Sequence, residues 1–267
     1  MFNNLIDFQK TFSTELKCIK YLEKLRWGGK PTCFDCKKTE KVYSYARLGV
    51  YHCGNCKKEF RIRKHTIFED SPLPLVKWFM AFYLEISSSR GISSCQLAKE
   101  IGTTQKTAWF VLSRVRYALK NNTIEKMTGD VEVDETYVGG KETNKHTTNL
   151  PRKKGMTSKM TVIGVLERKK QLAMQYVNKA NIKNIKPIFD KYIELEEAKL
   201  YTDESPLYKG YKREAVNHSK GEHARGKATT NNIENVFGLF KRRIYGIHHQ
   251  ITKQHIDQIH LICCFSF

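Results

Sequence analysis

Two closely spaced cysteine pairs limit the fold of this chain more than any other feature. The pairs are CFDC (Cys33 and Cys36) and CGNC (Cys53 and Cys56), and sixteen residues separate them. This spacing fits four thiolates around one tetrahedral zinc ion, with each pair in a tight turn and a hairpin between the pairs. Four unrelated buried cysteines, or a redox-active CxxC, are the alternatives, but two pairs this close favour a metal. We therefore predict a structural Zn²⁺ in a zinc ribbon over residues 31–70, a segment too short to fold by burial alone.

The charge of the chain indicates the kind of partner it binds. Lys and Arg number 47 against 27 Asp and Glu, and the formal net charge is +20. A charge this positive favours a polyanionic partner, most simply nucleic acid, with an anionic membrane surface as the alternative. No apolar run approaches the roughly 18 residues of a membrane-spanning helix, and the N-terminal MFNNLIDFQKTF lacks the apolar core of a signal peptide. We therefore expect a soluble, cytoplasmic protein.

Helical periodicity surrounds the predicted ribbon. Residues 1–30 predict an amphipathic helical segment with one break, and residues 71–122 predict further helices. Within the second segment, GISSCQLAKEIGTTQKTAWFVLSRVRYAL divides into a short helix, a glycine turn and a basic helix. This is the layout of a helix-turn-helix, whose second helix enters the DNA major groove. Two core helices are the alternative, but the net charge and the preceding ribbon favour DNA binding. The candidate contact residues on the second helix are Gln105, Lys106, Arg114 and Arg116, whereas Trp78 and Trp109 have the spacing of packing residues.

From residue 123 onward the pattern changes to that of an α/β domain. Alternating and continuous apolar runs predict four strands, with a helix between the third and fourth strands. The strands are expected at Val131–Val138, Met160–Leu166, Leu172–Val177 and Lys199–Thr202. The basic stretch NHSKGEHARGKATT has the composition of a loop, and NNIENVFGLFKRRIYGI has that of a helix. The order of these elements predicts a mixed sheet for residues 123–267.

Three acidic residues of this domain form a candidate metal site. Asp134 and Asp203 end two predicted strands, and Glu234 lies on the last helix, on the same face as Asn231 and Lys241. Each acid taken alone is weak evidence, because most Asp and Glu side chains are simply solvated. Together they could supply oxygen ligands to two divalent ions about 4 Å apart, the arrangement that promotes in-line phosphoryl transfer. Lys241 could then bind a substrate phosphate as a point charge.

Two further acids flank Asp134. In VEVDET, strand alternation puts Glu132 on the face of Asp134, opposite the core-facing Val131 and Val133. We expect the charges of Glu132 and Glu135 to be balanced by Lys141 and Lys145.

The sequence resembles the bacterial insertion-sequence transposases of the DDE superfamily, in the subgroup with an N-terminal zinc ribbon. The resemblance extends from Cys33 to about Gln258. The motifs that carry it are VEVDETYVGGKE with the following NKH, MTVIGVLER, YTDES, NHSKGEHARG and TNNIENVFGLFKRRIYGIHHQITKQH. Relatives of this kind continue with a further helix and a basic, aromatic ending, whereas this chain ends in HLICCFSF, as a catalytic domain truncated at its C-terminus would.

The resemblance implies a ribonuclease-H-like catalytic core with Asp134 and Asp203 as its first two metal ligands. Glu234 is favoured as the third ligand over Asn231, because a carboxylate binds Mg²⁺ better than an amide does. The implied enzyme uses two Mg²⁺ or Mn²⁺ ions to cleave the element ends in double-stranded DNA and to transfer the 3′ hydroxyl to target DNA. Pairing of two ends implies a homodimer or larger assembly. Phosphate contacts are expected from Lys241, Arg242 and Arg243.

Two other functions would use the same residues differently. A non-catalytic DNA-binding regulator would use only the N-terminal modules, and a metal-dependent nuclease would cleave DNA without joining strands.

Overall fold

A computed structural model of the chain describes residues 4–88, 90–120, 125–140, 159–216, 229–253 and 255–256. The chain folds into two compact units. The first unit comprises residues 1–85 and 94–115, and the second comprises residues 86–93 and 116–267.

The N-terminal segment folds as two short helices, α1 (Leu5–Thr11) and α2 (Glu15–Trp27), which confirms the single break predicted in it. Side-chain caps define where both helices begin. Asn4 Oδ1 accepts from the backbone N–H of Asp7 at 2.9 Å, and Thr14 Oγ1 accepts from that of Lys17 at 3.3 Å. Gly28 then ends α2 in the left-handed region, with φ of 63°, a conformation that glycine adopts at low cost.

The ribbon that follows is a three-stranded antiparallel sheet. Its strands are β1 (Val42–Ser44), β2 (Val50–Cys53) and β3 (Glu59–Arg61), and β2 lies in the middle. All three strands lie within the predicted range of the zinc ribbon.

Three helices follow the ribbon: α3 (Leu75–Ser87), α4 (Ser94–Ile101) and α5 (Gln105–Lys120). They lie in the first unit except for the last residues of α3 and α5, which belong to the second. The boundaries of α4 and α5 agree with the expected pair of helices joined by a short turn. Trp78 is fully buried, as predicted. The same prediction was wrong for Trp109, which is 54% exposed because it lies on the face of α5 opposite the buried Val111 and Leu112.

The second unit contains a five-stranded mixed sheet. Its strands are β4 (Asp130–Val138), β5 (Met160–Glu167), β6 (Gln171–Val177), β7 (Lys199–Asp203) and β8 (Arg213–Val216). They lie in the order β6-β5-β4-β7-β8. Neighbouring strands are antiparallel from β6 to β4 and parallel from β4 to β8. The mixed α/β sheet predicted from the sequence is therefore present, whereas β8 was not predicted.

Helices α6 and α7 pack on opposite faces of this sheet. Helix α6 (Ile182–Tyr192) contributes Ile185, Ile188 and Phe189 to a core that includes Val131 and Val133. Helix α7 (Asn231–Arg243) packs on the opposite face, and it continues into a single π-helical turn, Ile244–His248. The residues of β4 alternate between these two cores, so the side chains at even-numbered positions face α7.

Several sequence-based expectations concern residues outside the described ranges. They include most of the basic loop, the partners proposed for the acids near Asp134 (Lys141 and Lys145), and the C-terminal HLICCFSF. Among the helices that the structure does describe, none has the length and apolar character needed to cross a membrane.

Gly164 controls how closely α7 approaches the sheet. It pairs with Asp134 across β4 and β5, and a Cβ added to it would lie 2.8 Å from the Phe237 ring and 2.9 Å from Ile233. We expect Gly164→Ala to lower the free energy of unfolding by about 1–3 kcal/mol through overpacking. Denaturant unfolding would measure the change. The control is Gly210→Ala, because a Cβ there would meet no atom within 4 Å. Equal stability of the two variants would contradict this account of the contact.

Candidate active site

The four ribbon cysteines converge as a zinc site requires. The Sγ atoms of Cys33 and Cys56 are 3.6 Å apart, as are those of Cys36 and Cys53, and all four lie within 4.8 Å of one another. A tetrahedron with Zn–S bonds of about 2.3 Å has edges of about 3.8 Å. The donor set and its spacing therefore fit a single structural zinc ion.

The two cysteine turns repeat the same backbone geometry. The N–H of Lys37 donates to the carbonyl of Cys33 at 3.1 Å, and that of Lys57 donates to the carbonyl of Cys53 at 2.8 Å. Backbone N–H groups, that of Cys56 first, lower the pKa of the Cys53 thiol to about 6. The pKa values of Cys36 and Cys56 are raised instead, because of desolvation and because the thiols share hydrogen bonds within the cluster.

A second group of potential ligands lies where β4 pairs with β7. Asp203 is the last residue of β7, as expected, whereas Asp134 lies in the middle of β4 because that strand continues to Val138. These strands are parallel, with Val133 opposite Thr202, so Asp134 and Asp203 occupy the next position of the same register. Both lie on the face of the sheet that α7 covers, and both are partly buried. Parallel pairing thus places side by side two acids that are far apart in sequence.

The carboxylates near Asp134 are close enough to affect its ionisation. Burial raises the pKa of Asp134 to about 7, and the negative charges of Glu135, Asp203 and Glu234 contribute to the increase. The backbone N–H of Glu135 donates to Asp134 Oδ1 at 2.8 Å, and this hydrogen bond opposes the increase in pKa. Such a cluster concentrates negative charge that a divalent cation would neutralise.

Helix α7 carries the remaining predicted residues of this site. Glu234 lies in its first turn, and Glu234 Oε1 accepts a hydrogen bond of 2.9 Å from Thr230 Oγ1. Asn231 and Glu234 are exposed and Lys241 is half-buried, and all three lie outside the apolar stripe that packs on the sheet.

The three carboxylates are less tightly grouped than the cysteines. Across the described residues, only the cysteines bring three or more potential ligand atoms within 4.8 Å of one another. The assignment of Asp134, Asp203 and Glu234 as metal ligands therefore stays a prediction. Their carboxylate oxygens are nevertheless the hard donors that Mg²⁺ and Mn²⁺ prefer.

Two acids beside Asp134 have partners that sequence reasoning missed. Glu135 Oε2 accepts a hydrogen bond of 2.6 Å from the hydroxyl of the buried Tyr208. The Glu132 carboxylate is fully buried, and Arg168 Nε donates to its Oε1 at 2.7 Å. Strand alternation predicted the face on which Glu132 lies, but no local signal in the sequence indicates Tyr208 or Arg168 as partners.

The seven candidate DNA-contacting residues differ widely in exposure. Gln105, Lys106 and Arg242 are exposed, and Lys241 is half-buried. Arg114 is also half-buried, and its Nη1 donates to the carbonyls of Ile67 and Glu69 at 2.8 and 2.7 Å.

The other two arginines are more deeply buried. Arg116 is 8% exposed and Arg243 is fully buried, with its guanidinium packed against Gly91. DNA contact by any of the seven residues stays a prediction. Burial favours a structural role for Arg116 and Arg243. The hydrogen bonds of Arg114 to backbone carbonyls favour a structural role for this residue as well.

Comparison with known proteins identifies the family. Residues 126–258 match the model of an ISXO2-like transposase domain, and residues 13–59 match that of a transposase zinc-ribbon domain. The chain belongs to this family of insertion-sequence transposases. It is also 28% identical over 253 residues to an uncharacterized protein in the transposable element ISH50 of Halobacterium salinarum, covering 87% of this chain and 84% of that protein. No solved structure matches the chain.

Membership in the transposase family agrees with the geometry of both sites. The zinc-ribbon match overlaps all four cysteines, and the ISXO2-like match contains Asp134, Asp203 and Glu234. The family also implies DNA as the partner of this basic transposase.

The cysteine site makes a direct prediction about metal content. We expect the purified transposase to release about one zinc ion per chain when its thiols are titrated with a mercurial in the presence of a chromogenic chelator. Cys53→Ser should lose that zinc and should unfold the ribbon, because three ligands bind zinc much more weakly than four. Cys95→Ser, which removes an exposed thiol outside the cluster, is the control and should retain the metal. Zinc retained by Cys53→Ser would argue against the cluster.

Proposed function

We propose that this chain is a DNA transposase that cleaves the ends of its insertion element and transfers the resulting 3′ hydroxyl to target DNA. In this proposal the second unit is a ribonuclease-H-like catalytic core. Asp134, Asp203 and Glu234 hold two Mg²⁺ or Mn²⁺ ions, and Asn231 orients or supports the third ligand.

The observation that carries the proposal is the shared register of Asp134 and Asp203. They occupy adjacent positions of two parallel strands on one face of the sheet, and α7 brings Glu234 close enough to affect the ionisation of Asp134. Three hard oxygen donors in a chain of net charge +20 are most simply explained by a metal-dependent reaction on a polyanion.

The chemistry divides between the bound ions and the protein. When bound, the two ions would activate the attacking oxygen and stabilise the leaving oxygen of a phosphodiester. The paired strands β4 and β7 hold two carboxylates in fixed relation, so little reorganisation is needed when the substrate binds. Lys241 and Arg242, two turns beyond Glu234 on α7, are suited to bind DNA phosphates near these carboxylates.

For recognition of the element ends, we assign the zinc ribbon and the helices α4 and α5. Gly102, with φ of 59°, ends α4, and Thr104 Oγ1 accepts from the N–H of Thr107 in the first turn of α5. Helix α5 exposes Gln105 and Lys106 near its N-terminus, the part of a recognition helix that contacts base edges and phosphates. Because two ends must be joined to one target, the working assembly in this proposal is at least a homodimer.

The catalytic assignment is tested with a duplex carrying the element end, Mg²⁺ or Mn²⁺, and purified protein. We expect nicking and strand joining by the wild type, and a loss of at least about 100-fold in cleavage rate for Asp134→Asn, which removes a ligand charge. Binding of the duplex, measured in the absence of metal, should be unchanged. The control is Asp190→Asn, which removes an exposed carboxylate on α6, the helix on the opposite face of the sheet. This variant should cleave normally.

The same assays separate the rival functions and the two candidates for the third ligand. Tight binding by the folded wild type with no cleavage would indicate a regulator, and cleavage without strand joining would indicate a nuclease. Glu234→Gln should cost as much activity as Asp134→Asn, whereas Asn231→Ala should cost less. The reverse order would make Asn231 the third ligand.

The DNA-binding assignment predicts a change in salt dependence. If Lys106 contacts a phosphate, Lys106→Ala should weaken binding and lower the slope of log K against log salt by about 1. Lys186→Ala removes the same charge from the exposed surface of α6 and serves as the control. Fluorescence anisotropy across a salt series would measure both slopes. Identical slopes for the two variants would remove Lys106 from the interface.

A further inference from the structure

Glu132 is a fully buried carboxylate that joins β4 to α7. It lies two residues before Asp134 on the same face of β4, and it has no exposed surface. Its Oε2 accepts the backbone N–H of Ile233 at 3.0 Å, and its Oε1 accepts from the side-chain amide of Asn232 at 2.7 Å. Both donors belong to the first turn of α7, the turn that also carries Glu234.

This contact replaces the usual N-terminal cap of a helix. The residue before α7 is Thr230, which makes no side-chain capping hydrogen bond and instead donates to Glu234 Oε1. The first-turn N–H of Ile233 is satisfied by Glu132, from a strand about a hundred residues earlier. A carboxylate in this position accepts an otherwise unpaired N–H and interacts favourably with the positive end of the helix dipole.

The other partner of Glu132 extends the contact toward β7. Arg168 pairs with Glu132, donates to the carbonyl of Thr229 at 3.1 Å, and lies 4.4 Å from the ring centroid of Tyr201. Tyr201 belongs to β7, two residues before Asp203, and its hydroxyl donates to Asp130 on β4 at 3.1 Å. A single polar network therefore contacts both strands that carry the paired aspartates and the start of the helix that carries Glu234.

We propose that Glu132 is a positioning residue of the active site, which sets the location of Glu234 relative to Asp134 and Asp203 by fixing the first turn of α7 to β4. The inference rests on the proposed function, because it assumes that these three carboxylates share the metal ions. Glu132 does not itself reach the metal in this proposal, since its oxygens are occupied by α7 and Arg168.

Burial of a charge at this point favours positioning over simple stabilisation. Replacing a buried ion pair with well-packed apolar side chains is often neutral or even stabilising, so an ion pair is weak evidence for stability. Directed hydrogen bonds to one particular N–H, in contrast, define where the helix begins. Changes in residues that orient metal ligands in this way typically reduce metal affinity by about 10- to 100-fold.

The experiment compares Glu132→Gln and Glu132→Ala with the wild type and with Glu167→Gln. Glu167 is the matched control because it is also a buried carboxylate, 4% exposed. It accepts hydrogen bonds from the N–H groups of Thr128 and Gly129 and pairs with Lys170, but it makes no described contact with α7. Two quantities are measured without DNA. Electron paramagnetic resonance gives Mn²⁺ affinity, and hydrogen-exchange mass spectrometry gives the protection of peptides covering residues 229–243.

We expect Glu132→Ala to weaken Mn²⁺ binding by about 10- to 100-fold and to accelerate exchange at the start of α7 by at least about tenfold. Glu132→Gln, which keeps an acceptor for Ile233 but loses the charge, should show smaller changes in the same direction. Glu167→Gln should lower thermal stability while leaving Mn²⁺ affinity within about twofold of the wild type. If Glu132→Ala fails to fold by circular dichroism, Glu132→Gln carries the comparison.

The outcomes distinguish this inference from the proposed function. Unchanged Mn²⁺ affinity in the Glu132 variants would overturn the inference while leaving the proposed function intact, even if exchange in α7 became faster. An equal loss of affinity in Glu167→Gln would overturn it too, because the effect would then be general destabilisation. If Asp134→Asn removes no Mn²⁺ site that the wild type has, both proposals are overturned, whatever the hydrogen exchange shows.

Discussion

The parallel pairing of β4 with β7 is the constraint on which the candidate active site depends. The register that pairs Val133 with Thr202 puts Asp134, in the middle of β4, beside Asp203, the last residue of β7. Parallel strands need a long crossover connection, which α6 supplies while it covers the other face of the sheet.

A cluster of carboxylates must be held together against its own repulsion. The raised pKa of Asp134 reflects this, since burial and neighbouring negative charges disfavour its ionised form. Two features bring α7 close in spite of that repulsion. Gly164 leaves room for Phe237 to pack against β5 opposite Asp134, and Glu132 accepts the first-turn N–H of Ile233. Packing therefore sets the distance of the helix from the sheet, and the hydrogen bond sets where its first turn lies.

The two candidate metal sites of this transposase use opposite chemical strategies. The ribbon gathers four soft thiolates on two turns that are close in sequence, and the metal itself compensates for the small core of that segment. The carboxylate site gathers hard oxygens from two strands and a helix that already belong to a well-packed sheet domain. The first site serves folding, and the second serves the reaction proposed above.

Much of this architecture follows from local patterns in the sequence. The cysteine spacing predicted the ribbon, periodicity predicted the helices and most strands, and alternation predicted that Glu132 and Asp134 share a face, because each signal depends on residues close along the chain. Partners distant in sequence could not be predicted in this way. Local spacing did not distinguish the exposed Trp109 from the buried Trp78, and it did not reveal that Arg243 is buried or that Glu132 contacts Arg168 and Ile233. Those contacts depend on which faces meet when helices pack and strands pair, and only the tertiary structure decides that.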